Sequence, residues 1–301
     1  MSVKKFCAGI GVIAALASGV VLGAASPAIA DPGDCPSMYV VAIPGTWETS
    51  SGAAPKPGML TDVTDRLGGD IRTDYVSYPA TAFPWEGEVY GQSRAVAVTN
   101  AGSMLKAMAD RCGATKLAII GYSQGADAAG DLAAAIGTGA GIVPADRIAA
   151  VGLISDPKRS DTDALVGPAV VGTGVGGPRV GGFGHVSPVV RTFCAVGDLY
   201  CSTPKDDYVA RVAGFLAVSS SPEPDVADQY SQEAQSLLAD LTAAGGLPVL
   251  QGQLTDQAND QRRREIEAFY RSGIHQEYQS YEVQDGRPAT SWLAGYLTAA
   301  V

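Results

Sequence analysis

The stretch that most restricts the fold runs from Lys116 to Ile136. A compact apolar segment, Lys116 to Ile120, leads without a break into Gly121-Tyr122-Ser123-Gln124-Gly125, and then into the alanine-rich segment Ala126 to Ile136. A short apolar run predicts a buried strand, and alanine is the strongest helix former. The order is therefore strand, sharp turn, helix. In G-x-S-x-G the serine occupies a strained turn between the two elements, its hydroxyl projects from the top of a sheet, and the glycines leave room for the bend. A helix beginning at Gln124 aims its free N–H groups and its positive end at the space beside that hydroxyl, where an oxyanion would form.

The other elements fit the same plan. Met38 to Ile43 predicts a buried strand stopped by Pro44-Gly45, Ile71 to Tyr78 an extended stretch, and Ser93 to Arg111 a helix capped by Ser93. Arg147 to Ile154 and Val189 to Cys194 predict further buried strands. Strands separated by helix or loop point to an α/β fold with a parallel sheet covered on both faces. Gly167 to Gly184 shows neither period and reads as a long surface loop. No Lys-Ser/Thr follows its glycines, as phosphate binding of the P-loop kind would require. Helices are expected over Asp206 to Val218, Asp225 to Ala244, Thr255 to Arg271 and Thr290 to Ala300, with Gly245-Gly246-Leu247-Pro248 separating the middle pair. With 46% hydrophobic and 17% charged residues, residues 31–301 make one large domain, in which about 220–272 form a helical insertion.

A serine hydroxyl is a weak nucleophile and needs a base within hydrogen-bonding reach. The chain has only two histidines. His185 precedes the strand that leads to Asp198, and His275 follows that aspartate, so the hydrolase order of Ser, acid and His selects His275. Asp198 follows a strand and lies between two cysteines, which makes it the expected orienting acid. Asp156, at the end of the Arg147 to Ile154 strand, is its main competitor, read otherwise as a strand terminus. Many of the other acidic residues are expected on a solvated face. Thr46, after Pro44-Gly45, is expected to join Gln124 as the second oxyanion donor.

The first thirty residues read as a signal peptide, with Lys4 and Lys5, the apolar stretch Phe6 to Leu22 and the cleavage pattern Ala28-Ile29-Ala30. The rival reading is a retained anchor. Either places the remaining chain outside the cytoplasm, secreted or associated with the cell envelope, where Cys35, Cys112, Cys194 and Cys201 can pair. Three pairings satisfy the count. Closeness in sequence favours Cys194 with Cys201, leaving Cys35 to Cys112. The four cysteines lack the C-x2-C spacing that zinc favours, so neither metal nor cofactor is expected. A net charge of -10 and a pI near 4.6 offer no basic face for a phosphate backbone, which argues against nucleic acid as a partner.

Several blocks together resemble the cutinase family, and more closely its cutinase-like branch in mycolic-acid-producing actinobacteria. They are Ile43-Pro44-Gly45-Thr46-Trp47-Glu48, Tyr78-Pro79-Ala80, Gly121 to Ala126, the Phe193-Cys194 to Gly197-Asp198 and Cys201 block, and His275 with Tyr278. The resemblance implies an α/β-hydrolase with a Ser123, Asp198 and His275 triad and an oxyanion hole at Thr46 and Gln124. It also implies disulfides paired as above and esterase activity on lipid-like substrates: fatty-acyl esters, phospholipids or thioesters. In compact cutinases the acid and the histidine are close in sequence, whereas here the helices from Asp225 to Arg271 intervene and are expected to act as a cap. Trp47, Phe83 and Trp85, on loops at the upper edge of the sheet, are expected to line the acyl-binding region, and peripheral contact with envelope lipid follows from such a substrate. The rival readings are an acyltransferase acting on envelope lipids or sugars, and a silent lipid-binding envelope protein.

Overall fold

The computed structural model describes residues 35–54, 58–220 and 227–301. Its sheet has five parallel strands, β1 (Met38–Ile43), β2 (Ile71–Tyr75), β3 (Lys116–Tyr122), β4 (Ile148–Ile154) and β5 (Val190–Phe193), in the order β2-β1-β3-β4-β5. The signal-peptide expectation for residues 1–30 lies outside the described residues.

Strand side chains alternate between two cores. Tyr39, Val41, Ile43, Leu117 and Ile119 face one, with Leu105, Met108, Leu132 and Ile136 of α2 (Tyr90–Arg111) and α3 (Gln124–Gly137). Met38, Val40, Ala42, Ala118 and Ile120 face the other, with Val63 of the short α1 (Thr61–Thr64) and Leu293 and Leu297 of α8 (Ala289–Ala299). Both faces are covered, so β1 and most of β3 and β4 are apolar at every position rather than at alternate ones. The order reverses at β1, which pairs with β2 on one side and β3 on the other. In open parallel sheets such a reversal opens a crevice at the carboxyl ends of the strands. Here that is where β1 ends in Pro44-Gly45 and β3 ends in Ser123.

Cys35 is bonded to Cys112, tying the chain before β1 to the end of α2 across 77 positions, and Cys194 to Cys201 across 7. In the chain-entropy account, closing the longer loop contributes about 4 kcal/mol and the shorter about 2 kcal/mol.

Three local expectations are corrected. Ser93 does not cap α2: the helix starts at Tyr90 after Val89, and the Ser93 hydroxyl instead accepts the Thr81 N–H at 3.1 Å. Gly245-Gly246 is a turn, but Leu247 and Pro248 begin a further helix, α6 (Leu247–Gln253), with proline in the first turn where its missing N–H costs nothing. Gly167 to Gly184 is not simply a surface loop, because Thr173, Arg179 and Phe183 within it are buried.

Arg179 is the reason. Its guanidinium meets Asp156 at 2.6 Å, Asp131 at 2.8 Å and the Asp127 carbonyl at 2.8 Å. It lies against α3 at Gly130, where a β-carbon would come 2.3 Å from Cζ. Arg94 pairs with Asp131 and bonds the Tyr230 hydroxyl, while Lys158 meets Glu233 at 2.8 Å. Asp127, Asp156 and Glu233 are thus buried in a charge network and not on a solvated face. The network joins α2, α3, the segment after β4 and the Gly-rich loop to α5 (Ala227–Ala243), the first helix of the stretch expected to be an insertion. The chain continues through α6 into α7 (Asp256–Ser272), and α4 (Tyr208–Val218) packs against α5 and α6.

Burial pushes the Lys158 ammonium below its ordinary value despite the pull of Glu233 and Asp127. Removing one partner of a buried ion pair leaves the other uncompensated, whereas an apolar replacement of both is often tolerated. Glu233→Gln is expected to lower stability by about 3 kcal/mol, and Lys158→Met combined with Glu233→Leu to recover most of it. Urea midpoints measure both; an unchanged Glu233→Gln midpoint would show that the pair contributes nothing.

Candidate active site

Ser123 stands between β3 and α3 with φ +54° and ψ −122°, a left-handed conformation for a residue with a β-carbon. Such backbone costs about 1–3 kcal/mol and persists only where its surroundings over-determine it. Here they do. The Ser123 N–H donates to the Ile154 carbonyl at 2.9 Å. A β-carbon at Gly125 would lie 2.0 Å from the Ile43 oxygen and 2.4 Å from that of Pro44, and one at Gly121 would lie 2.2 Å from the Gly125 oxygen. The two glycines let the first turn of α3 press against the exits of β1 and β3, which drives the serine into its turn.

His275 sits in a 3-10 turn, Ile274–Gln276, entered through Gly273 in the left-handed conformation that ends α7. Its carbonyl accepts the Tyr122 hydroxyl at 2.8 Å. Nε2 lies 3.0 Å from Ser123 Oγ, and Nδ1 lies 2.9 Å from Asp198 Oδ2. Asp198 is fully buried in the loop closed by Cys194–Cys201. Its Oδ1 accepts the Tyr200 N–H at 3.1 Å, and its Oδ2 also accepts the hydroxyls of Tyr278 at 2.7 Å and Ser155 at 2.6 Å. The structure thus brings together Ser123, Asp198 and His275. Asp156 is engaged with Arg179, and His185 lies beside a groove of about 350 Å³ with Val143, Pro144 and Ala145, at the amino end of β4 and therefore the opposite end of the sheet.

Gln124 is buried, and its carboxamide donates to the carbonyls of Thr81 at 2.9 Å and Tyr90 at 3.3 Å. Its backbone N–H opens α3, where helix donors have no partner within the helix. Thr46 follows Gly45 across the crevice. Glu48 braces this loop, accepting the Gly45 N–H at 2.7 Å and the Met59 N–H at 2.8 Å, and the buried Tyr78 hydroxyl donates to the Pro44 carbonyl at 2.6 Å. Trp47, Phe83 and Trp85 form an exposed aromatic group, with 60%, 41% and 80% of their surface accessible. Phe83 and Trp85 stack at 4.6 Å between centroids, and the Trp47 indole N–H donates to Glu86 at 2.6 Å. Across the imidazole, the Tyr200 ring lies 4.6 Å from that of His275, and its hydroxyl is 3.0 Å from that of Tyr270 on α7. Among the described residues no group of three or more His, Cys, Asp or Glu side chains is arranged to hold a metal ion.

Sequence reasoning missed Ser155, Glu48 and the hydroxyl of Tyr278. Ser155 carries a weak signal, since it directly follows the β4 strand after which Asp156 competes as the orienting acid. Glu48 and Tyr278 stood in the blocks that carry the family resemblance but had no role there.

Burial pushes the Asp198 carboxyl up. The hydrogen bond and charge of His275, with the hydroxyls of Ser155 and Tyr278, outweigh it and hold the carboxyl below its ordinary value.

A sequence model of the family described as Cutinase matches residues 34–213, a span that includes Ser123 and Asp198 and stops short of His275. The chain is similar to the carboxylesterase Culp6 homolog of Corynebacterium glutamicum, 32% identical over 206 residues, covering 56% of this chain and 66% of that relative, short of two thirds of its length. Among solved structures, lysin B from mycobacteriophage D29 aligns with a TM-score of 0.52 at 19% identity, covering 87% of this chain and 99% of that one. The catalytic core domain of acetyl xylan esterase from Trichoderma reesei aligns at 0.47 and 20% identity, covering 62% and 97%. The likeness to lysin B and the strand topology agree on an α/β-hydrolase fold.

A carboxylate whose native value is depressed contributes stability that is present above its unfolded value, about 3.9, and is lost as pH falls through the native one. The stability gap between the wild type and Asp198→Asn is therefore expected to be full near neutral pH and to narrow below about pH 4. Urea midpoints at pH 7 and pH 3 test this; an equal gap at both would contradict the ionised, hydrogen-bonded carboxylate described here.

Proposed function

The chain belongs to the cutinase family, and on that premise we propose that it is a serine carboxylic-ester hydrolase acting on lipid-like esters through an acyl-enzyme on Ser123. The observation that carries this reading is the continuous line of polar atoms from Ser123 Oγ to His275 Nε2 at 3.0 Å and from Nδ1 to Asp198 Oδ2 at 2.9 Å.

Ser123 Oγ attacks the ester carbonyl while His275 Nε2 takes its proton. Asp198 remains ionised, keeps the ring oriented and stabilises the imidazolium. The oxyanion rests on the backbone N–H groups of Gln124 and Thr46. On either side of Thr46 the amides of Gly45 and Trp47 are engaged, by Glu48 and by the Ala80 carbonyl at 2.9 Å, which leaves the threonine as the donor of that loop. Each such donor contributes about 2.7–4 kcal/mol to lowering the barrier. His275 then returns the proton to the leaving alcohol or thiol, and water releases the acid by the same steps.

The exposed group of Trp47, Phe83 and Trp85 supports an apolar acyl chain as the substrate, since large aromatic surface is left to solvent beside the crevice. Fatty-acyl esters, phospholipids and thioesters share that chemistry. On the other side, the contact of Tyr270 with Tyr200 supports the reading that the insertion walls the site over His275. Two disulfides fit a chain that works in an oxidising compartment, in keeping with export by residues 1–30.

Ser123→Ala is expected to reduce p-nitrophenyl ester cleavage by at least about 10⁴-fold with the fold intact. Near-wild-type turnover would refute the mechanism. Phe83→Ser combined with Trp85→Ser is expected to raise KM for long acyl chains more than for acetate. A chain-length panel reads the difference, and a uniform effect across lengths would remove these residues from the acyl site.

A further inference from the structure

Among the described residues, five that are not glycine have positive φ: Trp47, Ala80, Ser123, Ser155 and Asp285. Two of them end adjacent strands and flank one imidazole. Ser123, after β3, faces Nε2; Ser155, after β4 with φ +53°, faces Nδ1 at 3.0 Å. Ser155 is wholly buried, and its N–H donates to the Phe193 carbonyl at 2.8 Å. Glycine adopts this backbone without strain, so a serine there is held for its side chain.

The proton count gives that side chain a task. Ser155 has one hydroxyl hydrogen, and the ionised Asp198 carboxylate can only accept. At 2.6 Å the hydrogen belongs to the bond from Ser155 Oγ to Asp198 Oδ2, which turns the Oγ lone pairs toward Nδ1. That nitrogen then faces two acceptors, Oδ2 and Oγ, and must carry the ring proton, leaving the Nε2 lone pair toward Ser123. Three aromatic rings pack about the imidazole, Tyr122, Tyr200 and Phe269, at centroid distances of 5.2, 4.6 and 6.3 Å. Among the described residues, Asp198 Oδ2 and Ser155 Oγ are the hydrogen-bond partners of Nδ1.

We propose that Ser155 is a positioning residue that locks His275 in its Nδ1-protonated tautomer and gives the imidazolium a second acceptor when Nε2 takes the Ser123 proton. This rests on the reading of His275 as the base. Tyr278 also donates to Oδ2, at 2.7 Å, while the hydrogen of Ser155 holds the carboxylate and its oxygen holds the ring.

Ser155→Ala and Ser155→Gly test it, assayed with p-nitrophenyl butyrate beside Ser123→Ala. Each Ser155 variant is expected to lose about 10- to 100-fold in kcat with little change in KM. The acidic limb of the kcat/KM profile is expected to move to lower pH, because the acceptor facing the Nδ1 proton is gone. Ser155→Gly relieves the backbone and decides the matter if the alanine variant folds poorly. A folded Ser155→Gly enzyme with wild-type kcat and pH profile would overturn the proposal, as a purely structural role predicts. With Ser123→Ala inactive, that outcome removes only the role of Ser155; an active Ser123→Ala removes the hydrolase reading itself.

Discussion

The geometry depends on one close approach of backbone to backbone: the first turn of α3 lies against the carbonyls that end β1, at a separation that leaves no room for a β-carbon at Gly125. Because β1 and β3 are neighbours at the point where strand order reverses, their exits open onto one crevice. The same contact bends the chain at Ser123 and brings the amide of Gln124 opposite the Thr46 loop. Tyr78 and Glu48 then hold that loop from below.

Much of the sheet was legible in the amino-acid sequence. A strand covered on both faces is apolar along its whole length, and β1, β3 and β4 are of that kind. The parallel order and the strand-turn-helix at Ser123 followed from the spacing of these runs. With two histidines in the chain, the partner of the serine was nearly a choice between two. Helix ends were harder: Ser93 has the right chemistry for a cap but is claimed by Thr81, a contact between segments that spacing does not reveal. α6 hid behind Gly245-Gly246 because proline is tolerated in a first turn.

Hydropathy misled most about charge. Asp127, Asp156, Lys158, Arg179 and Glu233 look like surface residues and are buried, each made tolerable by the others. That mutual dependence is a property of the folded chain. Ser155 escaped for a similar reason: its place after β4 is a weak signal, and its two hydrogen-bonding partners lie 43 and 120 positions away. The charge network also ties the helices that precede His275 to the core. Glu233 and Tyr230 fasten α5, and Tyr122 fastens the turn after α7 through the His275 carbonyl.

The distance in sequence between Ser123 and His275, 152 positions, has a bearing on when the molecule becomes reactive. Synthesis delivers the serine elbow early, complete with its strand and helix, while the imidazole arrives only after α5, α6 and α7 have emerged. Contacts of such long range form late. A chain that ends before those helices thus carries the Ser123 hydroxyl without the imidazole that lies 3.0 Å from it in the folded molecule.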